Sequence, residues 1–144
     1  MGQIMGKWQL LRIRDLGQVI TGRTPSKDNP EYWGSYLPFV TPSDMGDRRS
    51  IDYPERYLSR EGAKAFTKNI IPKGVAVSCI GSQMGKTILI NQPSVTNQQI
   101  NSIIVNEDIA DRLFVYYALL PRQAEILNLG GGGSATPILR KSAF

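Results

Sequence analysis

Few residues in this chain can do covalent chemistry. It has no histidine and a single cysteine, Cys79. Ser-His-Asp and Cys-His catalysis are therefore excluded, together with most zinc sites and any internal disulfide. Cys79 lies within the apolar run 75–80 and reads as a small buried hydrophobe. The segment Gly81-Ser82-Gln83-Met84-Gly85-Lys86-Thr87 follows that run as a phosphate-binding P-loop would. A P-loop needs four residues between its glycines and then a helix, whose N-terminal amides aim at phosphate. Here three residues intervene, and Thr87-Ile88-Leu89-Ile90 continues as strand sequence.

Asn29-Pro30-Glu31-Tyr32 has the outline of the Asn-Pro-Pro-Tyr signature with which amino-group DNA methyltransferases hold a flipped base. Glu31 replaces the second proline, no hydrophobic strand precedes it, and no Gly-rich cofactor loop exists elsewhere. A turn built on Asn-Pro is the simpler reading. The carboxylates form no paired constellation. Asp44 and Asp47 flank a Met-Gly turn, and Asp108 and Asp111 are three apart, which suits turn chemistry and capping better than a metal nuclease. The residues predict a chain that is not an enzyme, with no cofactor of its own.

The cations say more. Lysine and arginine outnumber aspartate and glutamate by 17 to 12, giving +5 over 144 residues. The first 86 positions hold 13 of the basic and 8 of the acidic residues, while the remainder carries four of each. A surplus confined to one part of a domain is what a phosphate-facing surface needs. Hydrophobic residues make up 41% of the chain, which supports one core and argues against disorder. No apolar run is long enough to span a membrane, and Met1–Trp8 lacks the apolar stretch of a secretory signal, so the expected location is the cytoplasm.

These residues must be positioned by short elements. Turns at Gly22, Pro25, Asn29-Pro30, Gly34, Pro38, Pro42, Gly46 and Pro54 separate brief β-prone pieces, among them 18–21 and 37–41. The segment 61–68 reads as a short helix or turn. Strands are expected at 75–80, 87–90 and 100–105. A helix should then start with Asn106 as N-cap and Glu107 and Asp108 in its first turn. Ile109, Leu113, Phe114, Tyr117 and Leu120 fall on one side of it at helical spacing, and Phe114, Tyr116 and Tyr117 read as core packing rather than base stacking. Pro121 can open a second helical piece, with Gly130 as its stop. Many short strands followed by a helical tail predict an α+β domain with a mixed or antiparallel sheet.

The ordered motifs identify a family. Gly22-Arg23-Thr24-Pro25-Ser26, Asn29-Pro30-Glu31-Tyr32-Trp33-Gly34 and Pro38-Phe39-Val40-Thr41-Pro42-Ser43-Asp44 come first. Ile71-Pro72-Lys73-Gly74, Val77-Ser78-Cys79, Met84-Gly85-Lys86, Thr96-Asn97-Gln98-Gln99 and Phe114-Val115-Tyr116-Tyr117 follow in order. The run resembles a target recognition domain from the specificity subunit of type I restriction-modification systems, over residues 8–144. It departs in having Phe39 where a tryptophan is common and Ile80-Gly81-Ser82 where an Arg-Ala-Ser type of loop is common. The resemblance implies one target recognition domain over 1–144, with a core at 8–129 and a Gly-rich exit at 130–144. That exit resembles the segment before the family's long spacer helix, which is absent here. The chain would thus be truncated, a piece of a split gene, or a half-subunit.

By resemblance the domain recognises one half of a two-part target in duplex DNA. S-adenosylmethionine, ATP and magnesium would belong to the modification and restriction subunits, and self-association is a further expectation. The rival reading is a protein-interaction remnant that binds a modification subunit without useful DNA affinity. Arg23, Lys27, Arg48, Arg49, Lys64, Lys68 and Lys86 are the candidates for phosphate or base-edge contact. Gln83 is the candidate base reader, because an amide suits adenine N6 and N7. Asn97 and Gln98 belong to the shared motif and read as structural.

Overall fold

Strands rich in β-branched residues, whose side chains alternate between two faces, build the central sheet. In Gly74–Ser78 (β5), Val75 and Val77 point to one face while Ala76 and Ser78 point to the other. Strand Ile100–Val105 (β8) does the same with Ile103 and Val105 against Ile100. These two pair antiparallel, Val75 opposite Ile103. Gly17–Thr21 (β1) adds to the outer side of β8 and Thr87–Ile90 (β6) to the outer side of β5, giving an antiparallel sheet in the order β1-β8-β5-β6. The structure, a computed structural model, describes residues 11–46, 49–81, 84–129 and 144.

A second sheet is made of shorter pieces, in the order β2-β4-β3-β7: Trp33–Gly34 (β2), Leu37–Val40 (β3), Arg56–Leu58 (β4) and Val95–Thr96 (β7). β3 pairs antiparallel with β4 and parallel with β7. The expected α+β architecture holds, with its strands divided between two sheets. The segment 61–68 becomes helix Arg60–Ala65 (α2) and a following 3-10 turn; Ser59 caps α2, its hydroxyl accepting from the Gly62 amide at 3.0 Å. A short helix, Ile13–Leu16 (α1), leads into β1.

The core lies in three connected layers. One face of the first sheet presents Val75, Val77, Leu89 and Ile103 to helices Arg112–Leu119 (α3) and Gln123–Leu129 (α4). Its other face presents Ile20, Ala76, Ile88 and Ile100 to Val40, Met45 and Ile71. Leu37, Phe39, Leu58, Ala63 and Val95 close the interior of the second sheet. Two buried hydroxyls, Ser78 and Ser102, have no hydrogen-bond partner among the described residues.

The two sheets are joined at a narrow seam. The Gly22 amide donates to the Ile100 carbonyl at 3.0 Å, Arg23 to Thr96 at 2.9 Å, and Asn97 to Val40 at 3.0 Å. Any side chain at Gly22 would collide with the backbone of Thr96 and Asn97. This explains why a glycine ends β1 and why the Thr96–Gln99 motif is structural. Thr24 reinforces the seam by donating to Gln98 Oε1 at 2.5 Å.

The helix prediction needs correction. Residues 106–110 close as a separate turn, with Asn106 Oδ1 accepting from the Asp108 amide, and α3 begins only at Arg112. The buried face is Val115, Tyr116 and Leu119, whereas Phe114 is 59% and Tyr117 50% exposed, as are Ile109, Leu113 and Leu120 to similar degrees. The cause lies at the helix start. The Arg112 guanidinium reaches the Ile90 carbonyl and Asn91 Oδ1, while its amide donates to Glu107 Oε2. This ties α3 to the end of β6 and sets its rotation. Phe114→Ser should leave the unfolding free energy nearly unchanged, within about 0.5 kcal/mol. Tyr116→Ala should cost about 3 kcal/mol or more. Ser102→Ala should stabilise the fold by up to about 1 kcal/mol, because it removes a buried hydroxyl without a partner. Urea denaturation of the three variants checks all of these.

Candidate nucleic-acid interface

The predicted cations fall into two groups. Arg23, Lys27, Lys64 and Lys68 belong to the second sheet and its helix. The Arg23 guanidinium lies 5.5 Å from the centre of the Phe66 ring, and Phe66 in turn meets Tyr32 edge-on at 5.8 Å. Phe66 follows α2 directly, between exposed Lys64 and Lys68. The loop carrying Arg23 and Lys27 is held against α2 by the Ser59 hydroxyl, which donates to the Glu31 carbonyl, and by Gly62, which abuts the Tyr32 backbone. Asn29 makes the expected turn, its side chain accepting from the Glu31 amide.

Arg49 and Lys86 form the other group, beside α3. Arg49 Nη1 donates to the Tyr117 hydroxyl at 2.7 Å, and Lys86 Nζ donates to the Met45 carbonyl at 3.0 Å. One of the three ammonium protons of Lys86 is therefore committed to the backbone. Arg48 and Gln83 lie outside the described residues. Of the neighbouring residues that are described, Met84 is buried in the core, and Gly81 and Gly85 adopt left-handed φ values of 78° and 90°. A Cβ on Gly85 would come within 2.8 Å of Gln123 Cα, so α4 sits directly against the loop. The strand that follows, rather than a helix, agrees with the rejection of a P-loop.

Sequence reasoning missed Arg56, Arg60, Trp33 and Tyr36. Arg60 stacks over Tyr36 at 4.6 Å, and Arg56 over Trp33 at 4.6 Å and Phe39 at 5.3 Å. Each such stack contributes about 0.5–1 kcal/mol at an exposed site and holds the guanidinium in place. The available signal was the alternation of arginine with aromatic residues between positions 53 and 60. Two adjoining clefts, of about 290 and 350 Å³, share Lys27, Glu55 and Arg56 in their walls. Asp44 lines the first but is occupied, accepting from the amides of Thr41 and Glu55. Among the described residues, no three acidic, cysteine or histidine side chains are grouped to hold a metal.

A family model for the type I restriction modification DNA specificity domain matches residues 5–144. The chain belongs to this family. The type I restriction enzyme HindI specificity subunit of Haemophilus influenzae is 40% identical over 95% of the chain. The MjaIX specificity subunit of Methanocaldococcus jannaschii is 30% identical over 99% of it. The chain spans 30% and 34% of these two relatives, about a third of their length. The fold is shared with the HsdS subunit from Thermoanaerobacter tengcongensis, with a TM-score of 0.63 and 17% identity, covering 92% of this chain and 30% of that one. A type I R-M chain solved for complex assembly and conformational transition gives 0.70 at 18% identity, over 92% of this chain and 31% of the other. Specificity subunits are the non-catalytic components of type I restriction enzymes, and this specificity domain shares their architecture. No helix among the described residues is long and apolar enough to cross a membrane.

Cys79 is buried, and desolvation pushes its thiol above the usual range, opposed by a hydrogen bond with Asn101. Its neutral form is thus favoured in the folded state, so stability falls as pH rises through the ordinary thiol range. Iodoacetamide at pH 8 should label Cys79 only as fast as the fold opens, and rapidly in urea. Mass spectrometry of timed samples reads both rates.

Proposed function

We propose that this domain binds duplex DNA and reads one half of a two-part target for a type I restriction-modification assembly. The observation that carries this reading is the state of the cations. Among the described residues the one ion pair, Arg122–Glu125 at 3.0 Å, lies in the electrically neutral part of the chain. Arg23, Lys27, Arg56, Arg60, Lys64 and Lys68 surround the second sheet without acidic partners, three of them laid on aromatic rings. Unpaired cations on a preordered surface meet phosphate at little cost in side-chain entropy. Arg49, in the loop after β3, and Lys86, whose ammonium reaches the Met45 carbonyl of that loop, extend the basic surface, and Arg48 and Gln83 remain sequence candidates for phosphate and base contact.

In this reading the modification subunit supplies S-adenosylmethionine and the methyl-transfer chemistry, and the restriction subunit uses ATP and magnesium. This domain directs both by choosing the site. A second reading, docking to a protein partner, is favoured by the exposed apolar stripe of α3 that includes Leu113, Phe114 and Tyr117. The two readings differ in their response to salt. If about four phosphates are neutralised, log K should fall with log salt at a slope near −3.6. Lys64→Ala and Lys68→Ala should each shallow that slope by about one and weaken target and scrambled duplexes equally. Fluorescence anisotropy between about 50 and 200 mM salt measures this, and affinity indifferent to salt would overturn the proposal.

A further inference from the structure

Arg56 combines three properties found together nowhere else among the described cations. Its guanidinium is packed at the corner of two rings, Trp33 and Phe39, which stand 88° apart. Both rings are themselves fixed: Trp33 Nε1 donates to the Ser26 carbonyl at 3.0 Å, and Phe39 is fully buried. The guanidinium has no hydrogen bond or ion pair with any described residue, so its N–H fork remains available in the wall shared by the two clefts.

A planar fork held in one orientation selects partners with two acceptors side by side. Phosphate and the O6/N7 edge of guanine both qualify. Glu55 decides between them. Its carboxylate is exposed, lines both clefts and pairs with no described cation. A carboxylate in the walls of the same clefts disfavours phosphate there, but it accepts readily from an amino group. In the major groove a G·C pair presents that combination: O6 and N7 acceptors on guanine, and the N4 donor on cytosine. We infer that Arg56 and Glu55 form a reader for one G·C base pair, with Arg56 on guanine and Glu55 on cytosine. Lys27, which lines the same clefts, offers a point charge suited to the neighbouring phosphate. This inference rests on the DNA-binding reading above and names the chemistry of part of its site.

The test is selection of bound duplexes from a randomised library, followed by binding titrations on the enriched sequence and a scrambled control. The expected motif contains a position where G·C exceeds other pairs by roughly 5- to 150-fold. Arg56→Ala should bring that position near parity and leave the others intact. Replacing its guanine with 7-deazaguanine, which lacks N7, should weaken the unmodified protein but not Arg56→Ala. Glu55→Gln should bind the scrambled duplex more tightly, since it removes a negative charge, while discriminating less at the same position. Should Arg56→Ala fail to fold, Arg56→Lys and the 7-deazaguanine duplex answer the same question. A motif unchanged by Arg56→Ala or Arg56→Lys, or indifferent to 7-deazaguanine, overturns the assignment alone. A native chain that enriches no sequence overturns the DNA-reading function and the assignment with it.

Discussion

Where the chain leaves the first sheet, three backbone hydrogen bonds hold it against the second: Gly22 to Ile100, Arg23 to Thr96 and Asn97 to Val40. They are possible because Gly22 places no Cβ against the carbonyls of the β7–β8 link. The rest of the molecule depends on that close approach. It fixes the exit direction of the loop that carries Arg23 and Lys27. It also allows β3 to pair with β7 in the second sheet while the chain turns through residues 97–99 into β8 of the first. A wider gap would separate the stacked arginines from the main core, leaving small two- and three-residue strands with little to pack against.

Much of this was legible in the sequence. Alternating β-branched residues at 75–78 and 100–105 marked the two central strands, and the turn residues marked the breaks between the short ones. The missing histidine argued against triad catalysis, and the glycine spacing at 81–85 against a P-loop. The rotation of α3 was not legible, because Phe114 and Tyr117 have the helical spacing of a core stripe. The register was set instead by a distant contact from Arg112 to the end of β6, which no local pattern encodes. The division of the strands into two sheets was hidden for the same reason, since the β3–β7 pairing joins residues more than fifty positions apart.

The candidate interface was read by charge, and charge alone undervalues geometry. Lys86 fits a count of cations, yet part of its hydrogen-bonding capacity holds the Met45 carbonyl. Arg56 was passed over because the alternation of arginine and aromatic residues around it does not say which rings it will meet. Its distinction comes from Trp33 and Phe39, which precede it by seventeen or more positions and meet it only after β2, β3 and β4 have paired. Stacking converts a flexible cation into an oriented donor, and only the folded chain reveals which cations are so converted.

The loop after β3 also seals the first sheet. The Leu89 amide, on the outer edge of β6, donates to the Arg49 carbonyl at 2.7 Å, and Ser50 bridges to Leu89 in parallel. The same few residues that extend the basic surface thus protect an edge that would otherwise be open to pairing with another chain. Evolution of a new DNA preference is therefore channelled. The backbone makes the seal, so the exposed side chains of this loop can change, while Met45 is held in the core and Arg49 by Tyr117. Insertions and deletions next to Arg49 would shift the seal out of register, trading altered recognition for a tendency to aggregate. Lys64 and Lys68, exposed on and just after α2, seal no edge and fill no core, which makes them the freer ground for new specificities.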